Sequence, residues 1–189
     1  MTEGGGTVSL REIILGSLIC GLGLGVPWVM HQVGGGNLGP VFLPMFLPIL
    51  TGAFFLSPMG AAFVGVVTPM LSSLTGMPPL PIALVMAVEM GTAGLVISLL
   101  WRRTSHVVLT EGSWFRRHRR VLAVLAAGIA ADRAIVFFMV VGLADLFGLP
   151  AQMFGWGSAI AGIPGIAVQL TVIPPVVARL LGARRENVQ

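Results

Sequence analysis

The stretch Pro81–Arg103, PIALVMAVEMGTAGLVISLLWRR, constrains this chain more than any other. It is a run of about twenty apolar residues closed by paired arginines. At about 1.5 Å of rise per residue, a helix of that length crosses the roughly 30 Å hydrocarbon core of a bilayer. Its first half carries one acid, Glu89. A carboxylate at that depth is costly unless it is paired, protonated or open to water. The stretch therefore predicts an integral membrane protein that handles something polar within its spans.

Composition extends this reading to the whole chain. Hydrophobic residues make up 56% and charged residues 10%, against about 25% charge in a soluble domain. The 189 residues suit one membrane domain of several short helices, with no length left for a separate soluble one. Lysine is absent, and the net charge of +4 comes from arginines at the membrane edges, which signals topology and not a nucleic-acid partner. The single cysteine, Cys20, lies in an apolar run, so it reads as a small packing residue and no disulfide framework exists within the chain.

In chain order, residues 1–9 are a polar, Gly-rich tail, and the first span covers about 10–30. No convincing A-x-A site follows it, which argues against a cleaved signal peptide. Ser17, Gly21 and Gly25 recur every four residues and put small side chains on one helix face. Two readings stand for that face: packing within the chain, or docking of a partner subunit. A Gly-rich loop, 31–41, follows and includes Asn37; it lacks the G-K-[ST] of a phosphate loop. The apolar run from Phe42 to Leu74 would make a helix of about 50 Å, too long for a bilayer. The break at Ser57-Pro58-Met59-Gly60 divides it into spans of about 42–56 and 59–74. The turn containing Met77 then leads into the Glu89 span, 81–103. Residues 104–120 read as the one substantial polar loop, and the fifth and sixth spans fall at about 119–147 and 154–182, before a tail at 183–189.

Ten of the eleven arginines then fall on one side of a six-span chain, whereas the opposite loops, 31–41, 75–80 and 146–153, hold none. That asymmetry orients both termini toward the cytoplasm. The same basic loop could instead bind acidic lipid head groups. The expected fold class is all-α: a polytopic membrane protein with six transmembrane helices in one bundle.

The eleventh arginine, Arg133, lies inside the fifth span directly after Asp132. Adjacent helical residues point about 100° apart, so spacing alone does not pair them face to face. Glu89 is the expected partner of Arg133. The two either form a structural ion pair or line a polar cavity that contacts a substrate. Met86 and Met90 flank Glu89 at helical spacing, and Phe137 sits one turn from Arg133. Such residues suit a vitamin-sized pocket and are equally ordinary in a membrane core. Gln152 precedes the last span, Trp156 fits an outer aromatic belt or a pocket wall, and Gln169 is a polar side chain at mid-membrane depth.

Three segments carry a family resemblance. LPMFLPILTGAFFLSPMGAAFVGVVTPMLSSLTGMPPLP resembles the second and third spans and the following loop of S components, the substrate-binding membrane subunits of energy-coupling factor (ECF) transporters. MAVEMGTAGLVISLLWRR resembles their fourth span and GIPGIAVQLTVIPPVV their sixth, and the likeness covers about residues 10 to 182. The resemblance implies a prokaryotic cell-membrane protein that captures a vitamin or related micronutrient near the outer face. It implies as partners a coupling membrane subunit and two cytoplasmic ATPases that drive import. ATP hydrolysis belongs to those partners, so no enzymatic activity, cofactor or metal is expected of this chain, which lacks a Walker A motif. Family members often dock through Ala-x-x-x-Ala in the first helix; here the matching place reads Ser17-x-x-x-Gly21, continued to Gly25. By position, the resemblance offers Asn37, Met77, Met86, Glu89, Met90, Arg133, Phe137, Gln152, Trp156 and Gln169 as substrate-binding candidates.

Two other readings compete. An assembly subunit without ligand would use Glu89 and Arg133 for stability alone. An intramembrane enzyme would need clustered His, Asp or Glu, or a nucleophile with a base; His31, His106 and His118 fall in expected loops.

Overall fold

A computed structural model of the chain describes residues 9–34, 44–76, 78–110, 114–143 and 162–186. Regular structure among these residues is entirely helical. The helices are α1 (Leu10–Gly34), α2 (Phe46–Ala53), α3 (Pro58–Leu74), α4 (Leu80–Thr110), α5 (Trp114–Leu143) and α6 (Ile163–Glu186). Four of them contain segments long and apolar enough to cross a membrane: Leu10–Met30, Leu80–Thr104, Trp114–Met139 and Ile163–Ala183. Large apolar side chains such as Ile14, Leu18, Phe63, Leu84 and Phe138 point outward from these helices and from α3, as lipid-facing residues do.

The expected second span, 42–56, is helical only over the 8 residues of α2 among the described residues, about 12 Å of helix. Pro48 is the third residue of α2, where a missing N–H removes no intrahelical bond. The chain leaves the helix at Phe54 and reaches Ser57 in an extended conformation (φ −65°, ψ 160°), the geometry a following proline favours. Ser57 caps α3 by accepting the Gly60 N–H at 3.0 Å, and Pro58 takes the first helical position. The expected break at Ser57-Pro58 is therefore a helix start with a matched cap.

The expected loop 104–120 is a second difference. Helix α4 continues to Thr110 and α5 begins at Trp114, leaving 111–113 between them. No Gly or Pro occurs from Leu95 to Glu111, and a polar helix end extending beyond the apolar core keeps its own hydrogen bonds. The expected segments 144–147 and 154–161 lie outside the described residues.

Packing follows a ring. Helix α1 packs on α3, α3 on α4, α4 on α5 and α5 on α6, while short α2 touches α1, α3, α4 and α6. Phe46, Ile49, Leu50 and Ala53 of α2 are buried and meet a core that includes Met90, Ile97, Trp101, Leu125, Ile173 and Val177. Phe54 meets Trp101 edge-on with ring centroids 5.4 Å apart, and the Ser98 hydroxyl donates to the Leu56 carbonyl at 2.8 Å. Helices α3 and α4 approach at backbone distance. A methyl group at Gly65 would run into the Met90 carbonyl, and one at Gly94 would lie 2.8 Å from that of Ala61.

The basic ends gather together. Arg102, late in α4, lies within electrostatic reach of Glu12 at the start of α1. The Arg117 guanidinium of α5 sits 3.3 Å from where a side chain at Gly182 of α6 would begin. At the other end α3 stops at Thr75-Gly76, whose amides bond to Ser72 and Ser73 carbonyls. Gly76 there adopts φ +90°, a region that favours glycine.

Candidate functional site

Helix α4 begins, and α5 ends, at the arginine-poor end, so Glu89 and the Asp132–Arg133 pair fall at similar depth. Glu89 lies about 13 Å into α4 and Asp132 about 16 Å before the end of α5. Gln169 lies about 9 Å into α6 from the same end. Each sits well inside a helix of membrane-spanning length.

Burial separates their roles. Glu89 is 8% exposed, Asp132 2% and Gln169 1%, whereas the Arg133 side chain is 34% exposed. Arg133 does not take Glu89 as its partner. Its Nε and Nη2 donate to Asp132 Oδ2 at 3.0 and 2.8 Å. The expected Glu89 partner is replaced by the adjacent acid, which spacing alone does not bring face to face and side-chain length does. Asp132 turns inward from α5, and the long arginine stem lets the guanidinium fold back along its own helix to reach it.

Three polar groups remain open. Glu89 has no hydrogen bond or salt bridge among the described residues, although both charges of the Asp132–Arg133 pair act on it. Asp132 Oδ1 and Gln169 Nε2 are buried without a hydrogen-bond partner. The guanidinium is thus taken by one of the two acids, and the closed pair uses a single oxygen of Asp132. Asp132 was absent from the candidates chosen by resemblance; an acid inside an apolar span was the signal that singles it out.

The other candidates separate from this cluster. Met90 is fully enclosed in the core, and Met86 packs against that core half-buried. Phe137 is 58% exposed and meets Phe138 edge-on at 6.0 Å. Asn37, Met77, Gln152 and Trp156 lie outside the described residues. No group of three or more His, Cys, Asp or Glu side chains able to hold a metal occurs among the described residues. Among the described residues, a cavity of about 300 Å³ lies at the arginine-rich end, lined by Arg103, Thr104, Arg120, Ala123 and Val124.

The small-residue face of α1 points away from the bundle. Ser17 and Gly21 are exposed and Gly25 half-exposed, and a methyl group at Gly21 or Gly25 would meet nothing within 4 Å. Gly16 and Gly23 face inward instead, against Val64 at 3.3 Å and Thr68 at 2.8 Å. Among the described residues nothing packs against Gly21 or Gly25.

No family model, curated protein or solved structure matches the chain.

Proposed function

We propose that this chain is the substrate-capture subunit of an ECF-type transporter, binding a vitamin or related micronutrient at the outer face for import driven by partner subunits. The observation that carries the reading is the interior site: Glu89 and Asp132 are buried at membrane depth, and Asp132 Oδ1 has no hydrogen-bond partner. Ionisable groups are retained inside a membrane where they contact a substrate, an ion or each other, and here the contacts between them leave capacity unused. The unpacked Ser17, Gly21 and Gly25 face supports docking of a coupling membrane subunit. The clustered basic helix ends support a cytoplasmic location for both termini in a prokaryotic cell membrane. The proposal includes six spans, with α2 within the second, and two partner ATPases that hydrolyse ATP.

The test is import. The chain is co-reconstituted into liposomes with the coupling subunit and ATPases of its own host, and uptake of labelled micronutrients is followed. ATP-dependent accumulation that requires this chain supports the proposal. Accumulation that is unchanged when the chain is omitted contradicts it and favours an assembly role.

A further inference from the structure

We infer that the interior site takes a ligand bearing a positive charge, a protonated amine or another organic cation, which pairs with Glu89 and the open oxygen of Asp132. The inference rests on the capture-subunit reading and narrows its substrate class.

Charge counting motivates it. Arg133 is committed to Asp132 through two donors to one oxygen. That leaves Glu89 as an acid in excess, 8% exposed, with no counter-charge of its own among the described residues. A buried charge without a partner is strongly unfavourable, and the penalty falls when a partner of opposite sign enters. A partner that also carries a donor would satisfy Asp132 Oδ1, which accepts no hydrogen bond and is enclosed by protein. An ammonium group offers several donors around one charge, enough for both carboxylates at once. Gln169 adds an unpaired Nε2 donor in the bundle interior, which suits an acceptor atom elsewhere on the same ligand.

Other charge classes fit less well. An anionic ligand would meet two carboxylates against one guanidinium already in use. A neutral ligand would leave the excess acid as it stands. A proton held on Glu89 also balances the count, and it makes the site indifferent to ligand charge, so the experiment separates it from the inference.

The experiment is thermal unfolding of the purified full-length chain in detergent with three micronutrient panels at equal concentration. The cations are thiamine and pyridoxamine; the neutral compounds are riboflavin, pyridoxine and nicotinamide; the anions are biotin, pantothenate and nicotinate. Stabilisation is expected from the cationic panel alone. Acetylating the amine of a stabilising amine ligand, or replacing a quaternary ligand with its uncharged analogue, should remove the shift on the unaltered protein. Glu89→Gln should weaken binding about tenfold or more, and Asp132→Asn should also weaken it. Stabilisation by an anion or a neutral compound, retained in Glu89→Gln, overturns the cation assignment and leaves the capture reading standing. No shift from any panel, in protein that unfolds cooperatively, overturns both. Should Glu89→Gln fail to fold, the uncharged analogue on unaltered protein still decides.

Discussion

The carboxylate of Glu12 accepts the backbone N–H of Ser57 at 2.8 Å, joining the first turn of α1 to the start of α3 across 45 positions of sequence. The contact is tight. A methyl group at Gly60 would collide with Glu12 Oε1, so the missing side chain at that position lets the acid reach the helix start. A carboxylate suits an α-helix N-terminus, where free N–H groups point outward.

Replacing Glu12 with Ala is expected to destabilise the bundle by about 1–2 kcal/mol, a charge-assisted bond reduced by partial exposure. Glu12→Gln should lose less, because its amide oxygen still accepts from Ser57. Ser57→Ala removes the separate Gly60 cap at about 1 kcal/mol and keeps the N–H that Glu12 uses. Thermal unfolding of the single and double variants checks this: because the Ser57 side chain also acts on the Glu12 carboxylate, the double variant should lose less than the two single losses combined.

Two glycine replacements should have opposite signs. Gly65→Ala forces a methyl group into the Met90 backbone, and overpacking of that kind costs about 1–3 kcal/mol. Gly21→Ala meets nothing within 4 Å and should stabilise by up to about 1 kcal/mol through helix propensity. Melting temperatures of the two variants, measured side by side in one detergent, provide the comparison.

The outward face of α1 should matter to assembly and not to folding. Gly21→Leu with Gly25→Leu should not lower the unfolding temperature of the isolated chain and should leave its ligand response unchanged. Co-purification with the coupling subunit should fall about tenfold or more, as occlusion of a close-packed helix contact predicts. Equal recovery of the complex would show that the partner docks elsewhere.

Core and periphery make a third contrast. Ile97→Ala should cost about 2–5 kcal/mol, since Ile97 is fully buried where α4 meets Gly128 of α5. Phe137→Ala should stay within about 0.5 kcal/mol and leave ligand binding unaltered, because its ring faces outward. A loss of affinity in Phe137→Ala would restore it to the binding site.

The sequence made the membrane-length helices legible, because hydrophobic runs and arginine positions follow from the bilayer alone. It also marked Glu89 and Arg133 as exceptional, since charge inside an apolar run is conspicuous without a fold. Which partner Arg133 takes was not legible: spacing describes where side chains leave the helix, and the folding back of a long guanidinium onto Asp132 depends on what surrounds it. The α1 face behaved likewise. Ser17, Gly21 and Gly25 share one spacing with Gly16 and Gly23 as neighbours, and only the placement of α3 and α2 decides which set is covered. Met90 and Phe137 illustrate a further limit, for a methionine or a phenylalanine in a membrane helix carries no mark distinguishing core, lipid face and pocket wall.

The central claim is that this chain by itself captures a substrate inside the membrane, and equilibrium dialysis of the purified protein without partners tests it most directly. The account predicts saturable binding of one micronutrient, at about one ligand per chain, lost or weakened about tenfold or more in Glu89→Gln. Absence of saturable binding to the folded chain would contradict it, whereas saturable binding that Glu89→Gln and Asp132→Asn leave untouched would keep capture and move the ligand away from these two acids.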